Sequence, residues 1–243
     1  MKKNIKLILA AILGGGVINA NAISVSTMMA TVDDDGRAVI NVHNTEKYRQ
    51  YISVTISELL FTGKEIERLA YSRDNIPQWA LEVKPARTII EADFEKAFAI
   101  KYLNQKEKPL LRDRVFEVSF VPAPYFAEGE DSKNAVKIVF GFAPLVIVPA
   151  TEILPPQYNL SYKDGEVTVS NKGNSYFQLF LDGCSGLLPS VKMDTCSIDT
   201  TVLAGRTIKL TLPDAMKRMP SLKARIVSYK GRQRVDVTLP KQL

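Results

Sequence analysis

The chain has 243 residues, 46% of them hydrophobic, which is enough to bury a core in one large domain or in two of ordinary size. Its formal charge of +6 comes from 32 basic residues scattered among 26 acidic ones, a distribution that argues against a nucleic-acid footprint.

The N-terminus reads as an export signal. It opens on Lys2, Lys3 and Lys6, continues through an apolar stretch from Leu7 to Ile18, and closes on Ala20-Asn21-Ala22, the small-x-small pattern of a signal peptidase site. The apolar stretch is shorter than the roughly twenty residues a bilayer requires, so a membrane anchor is disfavoured. Nothing after residue 22 reads as a transmembrane helix. The expected organisation is a signal peptide over residues 1–22 and an exported chain from Ile23, not membrane-embedded, whose charge without those three lysines is +3.

From there the chain reads as strands. Ala38, Ile40 and Val42 alternate with Val39, Asn41 and His43. Ile52, Val54 and Ile56 alternate with Tyr51, Ser53 and Thr55, and Phe116, Val118 and Phe120 with Glu117 and Ser119. Period two over such lengths is the signature of half-buried strands. Turn chemistry separates the runs at Asp33-Asp34-Asp35-Gly36, Lys163-Asp164-Gly165 and Asn171-Lys172-Gly173-Asn174. Two short stretches, FEKAFAIKYL and DAMKRM, are compatible with helices. Many short strands with regular turns indicate β-sandwiches. The break falls at VPATEILPPQ, whose prolines bracket a connector, giving an all-β chain with domains over residues 23–150 and 151–243.

One run stands apart. Asn134 to Ala150 carries a single charge, Lys137, and is long for a strand, while Gly141 and Pro144 argue against a helix. Its alternating set Val136, Ile138, Phe140 and Phe142 is large and apolar, with Lys137 turned the other way and Val139 available to the domain's own core.

Tools for catalysis are missing from the sequence. The single histidine, His43, stands near a strand end, no cluster has zinc spacing, and Asp33-Asp34-Asp35-Gly36 lacks the later Glu of an EF-hand loop. There is no nucleophile elbow, P-loop or dinucleotide-binding turn, so no catalytic residue, metal or cofactor is expected. In an exported chain Cys184 and Cys196 are expected to form a disulfide, a reactive thiol pair being the alternative.

Several stretches together resemble the periplasmic chaperones of fimbrial chaperone–usher systems. VKPARTIIEADFEKAFAI (residues 83–100) is similar to that family's strand–turn–strand, with Ala92-Asp93 where the family usually has Pro-Gly. FEVSFVP (116–122) resembles the strand preceding its donor strand, NAVKIVFGF (134–142) the donor strand itself, and VSNKGNSYFQLF (169–180) its Asn-x-Gly-Asn turn. The cysteine pair fits the alternate branch, associated with enteric colonisation fimbriae. The resemblance implies two immunoglobulin-like β-sandwich domains joined by a short proline-containing linker. It also implies a non-enzymatic periplasmic role: binding fimbrial subunits by donating Val136, Ile138, Phe140 and Phe142 to their open groove, and delivering them to an outer-membrane usher. In the main branch an Arg and a Lys grip the subunit's terminal carboxylate between the domains. Those positions fall near Met28 and Leu145 here, so Arg49 and Arg114 are the anchor candidates, chosen on the expectation that both lie at the cleft end. The rival reading is a secreted two-domain adhesive or structural subunit.

Overall fold

The computed structural model describes residues 23–103, 109–126, 140–184 and 195–242. The expected signal peptide, residues 1–22, lies outside them. Ten strands precede the proline-rich connector: β1 Ile23–Val25, β2 Met29–Thr31, β3 Arg37–Asn44, β4 Gln50–Thr62, β5 Glu65–Ala70, β6 Leu81–Lys84, β7 Arg87–Ile90, β8 Glu95–Tyr102, β9 Arg114–Pro124 and β10 Leu145–Val148. They form two sheets, one ordered β1-β3-β8-β6 and the other β2-β10-β9-β4-β5, with β7 also pairing with β4. The alternating residues do what the pattern requires. Ile40, Val42, Ile52, Phe98, Ile100, Phe116, Val118, Phe120 and Val146 meet between the sheets in one core.

The stretch compatible with a helix at FEKAFAIKYL is instead strand β8. Phe98, Ile100 and Tyr102 are buried while Ala97, Ala99 and Lys101 between them are exposed, a period-two burial that a helix would scatter around its circumference. DAMKRM does contain a helix, α1 (Asp214–Lys217).

Beyond the connector come β11 Tyr158–Lys163, β12 Glu166–Asn171, β13 Phe177–Asp182, β14 Ser197–Val202, β15 Thr207–Thr211, β16 Ser221–Ser228 and β17 Arg234–Pro240. They make a second pair of sheets, β11-β12-β15 and β14-β13-β16-β17, around a core that includes Tyr162, Val167, Phe177, Leu179 and Ile226. Cys184 and Cys196, flanking the β13–β14 connection, are joined in a disulfide with Cα atoms 5.0 Å apart.

The two sandwiches meet through a dense junction. Leu59, Val115 and Ile147, on the outer face of the second sheet, pack with Met29, Phe61 and Leu145 against Tyr176 and Leu203 of the second sandwich. The tip of the β4–β5 hairpin adds backbone bonds across the junction, Gly63 N–H to Gly205 C=O (3.2 Å) and Thr207 N–H to Gly63 C=O (2.8 Å).

At the centre sits Asp113, whose carboxylate is buried. It accepts from Ala150 N–H of the connector (2.8 Å), from Tyr176 N–H (2.8 Å) and from the Ser175 hydroxyl (3.0 Å) of the second sandwich. Its own N–H donates to Asn174 C=O at 2.8 Å. The Asn174 side chain in turn donates to the carbonyls of Leu111 and Glu152 and accepts from Leu154 N–H. The Asn-x-Gly-Asn turn is thus a clamp between domains.

Burial pushes the Asp113 carboxyl above its ordinary range, against the pull of its three hydrogen-bond donors. Just above the usual carboxylate value the folded chain therefore holds a proton that the unfolded chain has released. This group's contribution to stability is largest at low pH and falls as pH rises through that interval. Asp113→Asn is expected to abolish that slope while destabilising at every pH, because an amide N–H then faces backbone donors, at a cost of about 1–3 kcal/mol. Melting temperatures of both proteins from about pH 4 to about pH 6 test this, and parallel curves would refute it.

Candidate functional site: an open strand edge

The apolar run singled out in the sequence does extend β10 backwards along β9. Leu145 pairs with Glu117 and Val146 with Phe116, and Phe142 pairs with Phe120 in the same register. Pro144 interrupts the ladder only halfway. It has no N–H to give, but its carbonyl accepts from Val118 N–H at 2.9 Å. Gly141 lets the strand close on its neighbour, since a Cβ there would stand 2.7 Å from the Phe120 carbonyl oxygen.

On its other side this strand is covered only at its end. β2 runs parallel to β10 over Leu145, Val146 and Ile147, and Leu145 N–H donates to Met28 C=O. From Phe140 to Pro144 no described strand pairs with that edge, and the backbone groups of Gly141 and Ala143 that face it are unbonded among the described residues. An unpaired edge of this kind is a template for another strand.

The side chains divide differently from the sequence reading. Phe142 is half-buried and packs against the domain's own core, the same face as Val146, whereas Phe140, two residues back, is 53% exposed. Phe142 thus stands on the core face of the sandwich in its register to Phe120, and Phe140 continues that alternation at the end of the described strand. Val136 and Ile138, with Lys137 and Val139, lie outside the described residues.

The two anchor candidates fare unequally. Arg49 is at the wrong end. β4 is antiparallel to β9, with Gln50 opposite Pro124 and Leu59 opposite Val115, so β4 ends at the domain junction and begins far from it. Arg49 Nε instead meets Glu91 at 3.2 Å. Arg114 does lie at the junction end, but it is spent within its own sandwich. It donates through Nε to Glu58 Oε1 (2.7 Å) and through Nη2 to Glu58 Oε2 (2.6 Å), with Tyr102 and Phe116 against the guanidinium. The bond to Glu58 holds its pKa above the ordinary arginine value against the opposing effect of burial. Met28 and Leu145 offer no charge there.

Sequence reasoning passed over two other bases. Arg68 on β5 stands opposite Leu59, on the outer face toward the second sandwich, 3.4 Å from Glu117. Arg206 of the second sandwich lies over the Phe61 ring at 5.7 Å and donates to Lys64 C=O. Neither carries a motif, because the hairpin that brings them to the junction is set by pairing across two domains. His43 stands 3.1 Å from Asp93 in an exposed pair. Among the described residues no cluster of His, Cys, Asp or Glu could hold a metal ion, and no helix is long and apolar enough to cross a membrane.

This division generates a contrast in stability. Phe142→Ala is expected to cost about 2 kcal/mol, part of the ~3–5 typical of a fully buried Phe, whereas Phe140→Ala should stay within about 0.5 kcal/mol. Denaturant titration of both variants checks this; equal losses would mean that Phe140 also serves the domain's own core.

Known proteins agree with this architecture. No curated protein matches the chain in sequence. Among solved structures, the Salmonella enterica SafA pilin–SafB chaperone complex contains a chain matching at a TM-score of 0.56 and 12% identity, over 90% of this chain and 97% of that one. The chaperone–tip subunit complex of the archaic chaperone–usher Csu pili of Acinetobacter baumannii matches at 0.54 and 13%, over 91% and 99%. The class 5 fimbriae chaperone CfaA matches at 0.50 and 14%, over 89% and 98%. At such identities the likeness is one of fold. The family model described as the CS5 fimbrial protein N-terminal domain matches residues 25–149, and with half the chain covered by that match, the protein belongs to that family.

Proposed function

We propose that this protein is a periplasmic, non-enzymatic chaperone of fimbrial subunits that works by donating a strand, and that it hands its subunits to an outer-membrane usher. The observation that carries the reading is the edge from Phe140 to Pro144, with which no described strand pairs, and Phe140 exposed at the point where the domain's own core ends. Pairing of an extended segment on such an edge supplies backbone bonds, and alternate side chains supply specificity; strand addition is the known mode of chaperone–pilin complexes. Burying one large apolar side chain is worth about 1.5–3 kcal/mol, so a few inserted side chains hold a subunit without any nucleotide. The fold shared with chaperones from pilin complexes and the fimbrial family membership support the same reading. The basic, apolar, Ala20-Asn21-Ala22 leader supports export, and the disulfide is in keeping with an oxidising compartment. The Cys184–Cys196 bridge and the class 5 likeness favour the alternate branch.

A secreted adhesive subunit would have no use for an apolar edge left open on a sandwich whose core is otherwise complete. For the subunit's terminal carboxylate the anchor role passes to Arg206, which meets the β4–β5 hairpin at the junction and whose side chain, among the described residues, hydrogen-bonds only a neutral carbonyl, that of Lys64. Arg suits bidentate capture of a carboxylate.

Co-expression with a fimbrial subunit should give a stable one-to-one complex, and Phe140→Asp should abolish it while leaving the chaperone folded, because a charge entering an apolar groove costs several kcal/mol. A folded Phe140→Asp protein that captures subunit normally would overturn the strand-donation reading. Arg206→Ala should weaken capture about tenfold, more at low salt than at high, while Arg49→Ala leaves it unchanged. Normal capture by Arg206→Ala would place the anchor elsewhere.

A further inference from the structure

We infer a second binding site, separate from the donor edge: a basic groove at the domain junction that takes an acidic, leucine-bearing peptide segment of a protein partner. Two adjoining concavities of about 260 and 360 Å³ share Arg112 and Lys172, and no acidic residue lines either one. Most bases around the junction are already committed: Arg114 to Glu58, Arg68 to Glu117, Lys230 to Asp34. Arg112 is not. Its guanidinium makes no hydrogen bond or ion pair among the described residues, and the neighbouring Asp113 carboxylate is taken up by Ala150, Ser175 and Tyr176. It is nevertheless placed. Gly205 has no side chain, and a Cβ there would stand 2.9 Å from Arg112 Nη1, so the guanidinium lies in the space that this glycine leaves. Lys172 reaches only a neutral partner, the amide oxygen of Asn159 at 3.0 Å.

Apolar surface borders these charges. Leu111 is 84% exposed and Leu154 45% exposed, and both line the first concavity beside Pro155. Neither sits on a loose tip. Leu110 and Thr151 exchange bonds (Leu110 N–H to Thr151 Oγ1, Thr151 N–H to Leu110 C=O), and Asn174 holds Leu111 C=O and Leu154 N–H from the other side. A fixed pair of exposed leucines beside two uncommitted cations fits a segment that offers carboxylates and an apolar side chain together. A phosphate or a lipid headgroup would leave the leucines without a role. The groove is also remote from the donor edge: Arg112 precedes the first residue of β9, Arg114, and the open strand pairs at Phe120, six residues further along β9, about 20 Å at strand rise.

The probe is a short labelled peptide in which Leu alternates with Glu and Asp and proline is included, so that it cannot add as a strand to the Phe140 edge. The full exported chain should bind it in fluorescence polarisation, more weakly as salt rises. Arg112→Glu and Lys172→Glu should each reduce affinity about tenfold or more, and Leu111→Ser about threefold. A peptide with Lys in place of the acids should not bind. Subunit capture through Phe140 should be unchanged in Leu111→Ser, which lies in the first concavity away from Arg206, so failure of this inference and failure of strand donation give different results. Peptide affinity unmoved by Arg112→Glu and Lys172→Glu overturns the site. Loss of subunit capture in Leu111→Ser would make the groove part of the donor site and overturn its independence. Arg112-dependent pelleting with phosphatidylglycerol vesicles, without peptide binding, would overturn the peptide assignment.

Discussion

The arrangement of the molecule depends on one buried carboxylate. Asp113 faces donors only, one from the connector and two from the second sandwich, and its backbone N–H adds a fourth bond to Asn174. Removing a charge from water is costly, and the direction of its pKa shows that burial outweighs the hydrogen bonds that stabilise the ionised form. No other side chain of its size offers two acceptor oxygens to three converging donors. The next residue of the chain, Arg114, begins β9, the strand on which β10 takes its register. Fixing Asp113 therefore fixes the angle between the sandwiches and, one residue on, the start of β9, along which the open edge runs. The apolar contacts of Leu59, Val115 and Ile147 fill the junction, but apolar contact is not directional; the polar clamp selects one orientation.

The second constraint is the management of edges. The large sheet ends at β5 on one side, and all six β5 residues are exposed. That edge carries Glu65, Glu67 and Arg68, and charges of this kind discourage pairing with another chain. The opposite edge, from Phe140 to Pro144, carries no charge at all. Within one sheet, one edge is blunted and the other left open. Gly141 and Pro144 shape the open one, the glycine by allowing close approach to β9 and the proline by removing a single N–H from the ladder side without displacing the strand. An edge of this composition is a hazard to a free protein and an asset only to one that has a partner strand.

How much of this was legible in the sequence follows from how local the cause is. Period two set the faces of β3, β4 and β9 correctly, because alternation is a property of each strand by itself. The FEKAFAIKYL stretch is ambiguous because its best helix formers, Ala97 and Ala99 together with Glu95 and Lys96, are all exposed residues, and pairing with β3 decides the matter. The side on which Phe142 falls was not readable: it depends on register to Phe120, across a connection the sequence does not measure. The expectation that Arg49 lies at the cleft end misses one reversal, since a strand antiparallel to β9 must end where β9 begins. Asp113 left no motif, and the Asn-x-Gly-Asn turn was visible as a turn but not as a clamp, because its partners lie some sixty residues away in sequence.

The position of Phe142 has a thermodynamic consequence for the proposed function. The same strand that would serve the partner also completes the domain's own core, with Phe142 inside it and Phe140 just past it. A strand shared in this way couples binding to folding: a ligand that pairs with the edge binds the folded sandwich and not the unfolded chain, and so stabilises it by mass action. Conversely, a substitution at Phe142 that loosens the edge from β9 lowers capture even though its ring need not touch the subunit. Effects on stability and capture should therefore part at Phe140 and travel together at Phe142. On the proposed function, the boundary between what belongs to the domain and what would be lent to a subunit lies between those two rings.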